Sequence, residues 1–258
     1  MDIRELTQSE LERYDRQILI PGWGLEGQKR LKNAKVAVVG VGGLGCPASL
    51  YLTAVGVGRI RIVDKEKFEL SNLNRQILGY QTDLGKFKVY VAKEKLEMLN
   101  PEVDVEAVVA EVTRDNVHEV VGDVDVVVDG MDNWRTRFVL NEYCVSHGIP
   151  FIHAAVSEMY GQITTIVAEK GPCLRCIFPK TPPEAEKTPV LGAAPALLAS
   201  LQVLEVVKLI IGIGEPLIGR MLFIDGRTMK FEEIHVEKRK DCPVCGSKRR
   251  KSYRFSSA

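Results

Sequence analysis

Two hydrophobic periods take turns along the chain. Apolar runs at 36–40 and at 124–128, the second broken only by Asp125, read as strands covered on both faces, the habit of a parallel sheet, whereas a half-solvated strand would alternate. Stretches at 47–57, 86–99, 113–121 and 134–147 predict helices, with Asn100-Pro101 and Gly148 as stop signals. Further strands are predicted at 59–63, 103–110 and 151–155, and residues 6–31 as helix and loop broken by Pro21-Gly22-Trp23-Gly24. Strand and helix alternating in this way predict an α/β fold with a doubly wound, mostly parallel sheet.

The pattern changes after residue 155. Residues 160–168 alternate around Gly161 and predict an antiparallel strand, 193–211 an apolar helix, and 221–224 and 229–235 two late strands. Four prolines between 179 and 189 predict a mobile loop. The chain, 1–258, is expected to form one domain: a parallel half at 30–155, and a second half at 156–258 in which antiparallel strands continue the sheet.

Composition sets limits on this picture. Hydrophobic residues make up 45% and charged residues 27%, and the net charge of +1 gives no bulk attraction to nucleic acid or membrane. No apolar run reads as long enough to span a bilayer, and the first residues are too polar for a secretory signal, so the expected location is cytoplasmic. Four of the six cysteines form C-x-x-C pairs, Cys173/Cys176 and Cys242/Cys245. In a cytosolic chain such pairs predict metal ligation ahead of a redox couple, an iron–sulfur cluster or disulfides, and four thiolates predict a closed, structural Zn²⁺ site. Cys46 and Cys144 fall in helical stretches and are expected to be buried, inert thiols. The basic runs Lys238-Arg239-Lys240 and Lys248-Arg249-Arg250-Lys251 read as solvated ends, with RNA contact as the rival reading.

The chemistry begins at Gly40-Val41-Gly42-Gly43-Leu44-Gly45, between a predicted strand and a predicted helix. Glycines there permit a tight turn and let the backbone approach a phosphate, which the helix N-terminus attracts. Asp64, 19 residues beyond Gly45 at the end of the next strand, is placed to accept hydrogen bonds from ribose hydroxyls. This is a Rossmann-like fingerprint for adenosine and phosphate, and it does not choose between NAD and ATP. Arg75 and Lys88 tilt the choice, because ATP cleavage needs charge neutralised on phosphates. By spacing alone either is as easily a solvated surface charge. Asp132, past the C-terminal end of a strand, could hold Mg²⁺, as could Asp129, or Asp132 or Asn133 could cap the following helix.

Taken together, Arg13-Tyr14-Asp15-Arg16-Gln17-Ile18, the glycine turn, Asp64, Ser71-Asn72-Leu73-Asn74-Arg75-Gln76, Lys88, Asp132-Asn133 and the two cysteine pairs resemble, in this order, the MoeB/ThiF/HesA family, relatives of the ubiquitin-activating enzymes. The resemblance covers nearly the whole chain. It implies ATP bound by Gly42, Gly43, Asp64, the Ser71–Arg75 segment including Leu73 and Asn74, Lys88, and Asp132 with Asn133, Asp132 also supporting Mg²⁺ and the adenylation step. It implies that residues 30–155 bind the nucleotide, that 156–258 bind the partner, with a crossover loop at about 179–192, and that Arg16 reaches the ATP of a second subunit in a homodimer. The implied reaction is adenylation of the C-terminal Gly-Gly carboxylate of a ubiquitin-like, MoaD- or ThiS-type protein, with a separate sulfur donor. Many relatives carry a cysteine where this chain has Ala185, so no enzyme thioester is expected. An NAD-dependent oxidoreductase, an enzyme adenylating a tRNA base or small molecule, and an inactive scaffold are the competing readings.

Overall fold

The computed structural model describes residues 4–183 and 187–246. Two short helices, α1 (Gln8–Arg13) and α2 (Asp15–Ile18), lead into α3 (Gly24–Asn33). The parallel half then alternates β1 (Lys35–Val39), α4 (Gly45–Val55), β2 (Arg59–Val63), α5 (Lys88–Leu99), β3 (Asp104–Val108), α6 (Val117–Val121), β4 (Val126–Asp129), α7 (Trp134–His147) and β5 (Phe151–Ser157). The second half adds β6 (Tyr160–Ile166), α8 (Leu174–Ile177), α9 (Ala193–Ile211), β7 (Arg220–Asp225) and β8 (Lys230–His235).

All eight strands form one sheet in the order β3-β2-β1-β4-β5-β6-β7-β8. Strands β1 to β5 pair in parallel, and β5 to β8 pair antiparallel. Strand order reverses at β1, with β2 on one side and β4 on the other, so a crevice opens above their C-terminal ends. From Val36 onward β1 is buried on both faces: Val36 and Val38 join the core under α3, α4, α5 and α9, while Ala37 and Val39 join that under α6 and α7. Helix α9 lies across β5 and β6 and against α3 and α4.

Most predicted elements are present, with local shifts that have causes. Strand β4 begins at Val126, not residue 124, because the Asp125 carboxylate accepts the Lys35 N–H at 2.8 Å and marks the sheet's edge. Helix α6 begins at Val117, because the Asn116 side chain accepts the Thr113 N–H at 2.8 Å and holds residues 113–116 in a turn. Helix α5 begins at Lys88, since the Lys86 carbonyl is taken by the Phe68 N–H at 2.9 Å. The expectation that no run is long enough to span a bilayer needs correction. Helix α9, 19 residues with a mean hydropathy of 1.8, meets that length and composition. It is apolar because it is the central helix of the core, and it carries the buried Glu205, which bonds Thr165 and the Leu217 N–H. Ala185 and the run 248–251 lie outside the described residues.

The seat of α9 on the sheet is close-packed at Gly161, where a β-carbon would fall 2.3 Å from Leu198 Cδ2 and 2.9 Å from Leu198 Cγ. Gly161→Ala is expected to destabilise the fold by about 1–3 kcal/mol through overpacking. Urea denaturation measures this, and an unchanged midpoint would contradict the α9–β6 packing.

Candidate active site

The turn after β1 is held by backbone contacts that leave no room for side chains. Gly40 has φ +94°, and a β-carbon on it would lie 2.5 Å from the Gly130 carbonyl oxygen; one on Gly45 would lie 1.7 Å from the Gly40 oxygen. Gly42 differs. A β-carbon there meets nothing nearer than Gln76 Nε2 at 3.8 Å, so the fold itself does not demand glycine at that position. The space above it suits a ligand that must touch backbone. Helix α4 opens here with no side-chain cap on its first N–H groups, which leaves its positive end available to an anion.

Asp64 ties this turn to the end of β2. Its two carboxylate oxygens accept the Val41 and Glu66 N–H groups, each at 2.8 Å. Burial pushes its pKa above the ordinary carboxylate range, against the opposing pull of the Lys88 charge and these two hydrogen bonds. Lys88 is not a solvated surface charge: it is 2% exposed, with Nζ 2.6 Å from Glu66 Oε2. Glu66 itself is exposed, so the pair opens to solvent on one side.

The segment that follows is folded as a small platform. Asn72 is buried, and its Oδ1 accepts the Glu69 N–H at 3.0 Å, which fixes the turn Leu70–Asn72. Ser71 and Asn74 are exposed and Leu73 is half-buried. The Arg75 guanidinium donates to the Ser71 carbonyl and to Asn74 Oδ1, both at 2.9 Å, and its stem lies beside Gly43. Among the described residues it has no carboxylate partner, so two neutral groups aim it and its charge remains available to an anion. Gln76 is a residue that the motif contained but sequence reasoning gave no task. It is 4% exposed, its Oε1 has no partner among the described residues, and its amide is the side-chain group nearest Gly42.

The choice between cap and metal roles at the end of β4 is divided between neighbours. Asn133 caps α7, its Oδ1 accepting the Thr136 N–H at 2.9 Å. Asp132 is exposed and bonds only to Asn133 Nδ2 at 3.3 Å among the described residues, which leaves its carboxylate available. Asp129, the other candidate for Mg²⁺, is corrected: it is fully buried and lies 2.7 Å from His153 Nδ1 and 3.2 Å from Arg137 Nε. A carboxylate so enclosed has no face for a hydrated ion.

The glycine turn thus has Asp64 bonded to its Val41 N–H, Arg75 beside Gly43 and Gln76 nearest Gly42, and the 130–131 backbone that leads to Asp132 touches Gly40. Arg16 is not among them. It is exposed on α2, and its neighbour Gln17 bonds the Val55 carbonyl at the far end of α4, about 16 Å from the glycine turn at the usual helical rise.

The four paired cysteines form a second centre. Cys173 and Cys242 sulfurs are 3.6 Å apart, Cys176 and Cys245 are 3.4 Å apart, and all four lie within 4.8 Å of one another. Tetrahedral zinc with Zn–S bonds of about 2.3 Å requires sulfurs roughly 3.8 Å apart, so the cluster fits that ion. Hydrogen bonding within the cluster pushes the Cys173 thiol up and draws Cys176 down toward the thiolate. Cys46 and Cys144 are fully buried, and burial raises the Cys46 thiol to about 12.

A glycine turn at the switch point of a parallel sheet, with an aimed guanidinium and an available carboxylate on the adjoining segments, suits a nucleotide-using α/β enzyme. Residues 14–244 match the ThiF family, and the chain belongs to it. It is 46% identical over 246 residues to the SAMP-activating enzyme E1 of Haloferax volcanii, covering 93% of this chain and 91% of that protein. It is 42% identical over 250 residues to the sulfur carrier protein adenylyltransferase of Thermus thermophilus, covering 93% and 92%. The crystal structure of E. coli MccB with ATP superposes with a TM-score of 0.82 at 26% identity, over 93% of this chain and 75% of that one.

The purified protein is expected to carry one zinc ion per chain by elemental analysis, and Cys242→Ser to lose it. A loss of ~2 kcal/mol on that change would lower Tm by roughly 4–8 °C in a domain of this size. A metal-free protein of unchanged Tm would remove the structural role.

Proposed function

We propose that this enzyme uses ATP to adenylate the C-terminal Gly-Gly carboxylate of a ubiquitin-like sulfur-carrier protein, as the names of its Haloferax and Thermus relatives suggest. The observation that carries the reading is Arg75, a guanidinium aimed by neutral groups beside a glycine turn and facing no carboxylate of its own among the described residues. An oxidoreductase using NAD has no comparable need for it.

In this reading Gly42 and the start of α4 receive the phosphates, and Asp64 holds the ribose. Arg75 and Lys88 neutralise the phosphates, and Lys88 Nζ, now 2.6 Å from Glu66, shares its charge with the nucleotide. A carboxylate oxygen of the carrier attacks the α-phosphorus, the bond to the bridging oxygen breaks, and pyrophosphate leaves with that electron pair. The exposed Asp132 would hold Mg²⁺, which offsets charge on the departing pyrophosphate. The adenylate is handed on without an enzyme thioester. This chain's six cysteines are either in the four-sulfur cluster or buried at Cys46 and Cys144. A separate sulfur donor then acts on the adenylate. A cytoplasmic location suits this partner chemistry.

Expected results follow for pyrophosphate exchange into ATP with carrier proteins ending in Gly-Gly. Asp132→Ala and Arg75→Ala should each lower exchange by at least about 10²-fold, as loss of an electrostatic contact does, while the Cys46→Ala, Cys144→Ala pair leaves it intact. Exchange that persists without the Gly-Gly tail would sink the carrier assignment.

We further infer a homodimer in which Arg16 serves the neighbouring subunit. Its distance from its own crevice supports this, as do Leu19, Ile20, Leu25, Tyr51 and Leu204, large apolar side chains left exposed on α9 and on the segments packed around it. Mixing inactive Arg16→Ala and Asp132→Ala proteins under subunit-exchange conditions should restore activity, up to about one quarter of the sites being complete, as symmetry dictates. No recovery in verified mixed dimers would place Arg16 in its own subunit's chemistry or in none.

A further inference from the structure

Beneath the exposed Asp132 lies a buried polar cluster for which the reaction as written has no use. Asp129 is completely enclosed, and Arg137, on α7, is 5% exposed. Their contacts converge on one residue, Met131, at the two peptide units that flank its α-carbon. Asp129 Oδ1 accepts the Met131 N–H at 3.0 Å, and Arg137 Nη2 donates to the Met131 carbonyl at 2.5 Å. Met131 is therefore gripped at its N–H by the carboxylate and at its C=O by the guanidinium.

The grip is itself anchored. Arg137 Nη2 also reaches the Ala154 carbonyl at 3.2 Å on β5, and its Nε lies 3.2 Å from Asp129 Oδ2. His153 Nδ1 stands 2.7 Å from the same carboxylate oxygen. Burial draws the His153 pKa below the ordinary imidazole value, so it acts as a neutral N–H donor and leaves Arg137 as the cation facing Asp129. From α9, Gln202 Nε2 donates to the Asp129 and Ile152 carbonyls at 2.9 and 3.0 Å. On the other side of Asp132, Asn133 is fixed as the cap of α7.

A carboxylate on an exposed loop would ordinarily sample many positions. This one lies between two immobilised neighbours, a residue held at both its N–H and its C=O and a capping side chain. We propose that Arg137, acting with Asp129 through the Met131 backbone, is a positioning residue that fixes the Asp132 carboxylate beside the glycine turn for adenylation. The inference rests on the proposed role of Asp132. The competing explanation is an ion pair that only stabilises the core, in which case Arg137 would influence activity only through the folded fraction.

The test uses the full-length enzyme and whichever carrier protein supports exchange in it. Arg137→Lys keeps a cation near Asp129 but lacks the planar group that faces Asp129 with Nε while Nη2 bonds both carbonyls. It is expected to lower kcat for exchange by about 10²-fold, with KM for ATP and carrier changed by less than roughly threefold. Combined with Asp132→Asn, it should cost nothing beyond Asp132→Asn alone, because both changes remove the same contribution. The Asp129→Asn, Arg137→Gln pair, which removes both charges at once, guards against misfolding and should show the same non-additivity at a Tm close to that of the unaltered enzyme. Losses that multiply with that of Asp132→Asn, or a kcat that tracks the folded fraction, would overturn the proposal while leaving adenylation by Asp132 in place. If Asp132→Asn leaves exchange unchanged, the role of Asp132 fails and the positioning role fails with it.

Discussion

The carbonyl oxygens of Gly40 and Gly130 each occupy the place where a β-carbon on the other residue would have to go, 2.5 and 2.3 Å from the ideal positions. This mutual approach joins the ends of β1 and β4, the two strands that flank the switch point of the sheet. Because the two turns touch, the glycine turn and the Asp132 loop are placed with respect to each other by a main-chain contact. Asp64 adds the third strand, its carboxylate bonded to the Val41 N–H. Side chains from four separate segments can then meet over one crevice with little freedom left to each.

Charge is distributed around that crevice in two ways. Where a charged group serves the framework, it is paired and enclosed, as Asp129 is with Arg137 and Glu10 is with Lys32. Where a group is expected to meet a ligand, it is left incomplete: Arg75 is held by a carbonyl and an amide, Asp132 by an amide, and Gln76 keeps an unsatisfied oxygen. A buried polar atom without a hydrogen-bond partner costs roughly 1–3 kcal/mol, and among the described residues Gln76 shares that state with Thr53, Arg137, Asn141 and Gln202. Lys88 stands between these groups, buried like the first and paired with an exposed partner like the second.

Much of the fold was legible because its signals are local. The apolar runs of β1 and β4, the glycines, and the stop at Asn100-Pro101 each report on a few neighbouring residues. Arg75 and Lys88 could be singled out by position but not distinguished from surface charge, since that depends on burial, and burial comes from the packing of segments far apart in sequence. The clamp on Met131 was not legible at all. Arg137 sits in a helix with other polar residues, His153 in an apolar strand, and Gln202 in an apolar helix; nothing in the spacing links them. Asp129 was noticed for its proximity to a strand end and assigned a metal, whereas three-dimensional neighbours enclose it.

The cysteine cluster joins residues 69 positions apart, with α9, β7 and β8 lying between its two pairs. As the chain leaves the ribosome, Cys173 and Cys176 are made well before Cys242 and Cys245 exist to meet them. Through that interval the first two thiols can be captured by any soft metal or oxidant in the cell. The clasp closes only after the central helix and both late strands have been made. The order of synthesis therefore leaves the second half of the sheet unfastened until the rest of the fold has had time to form.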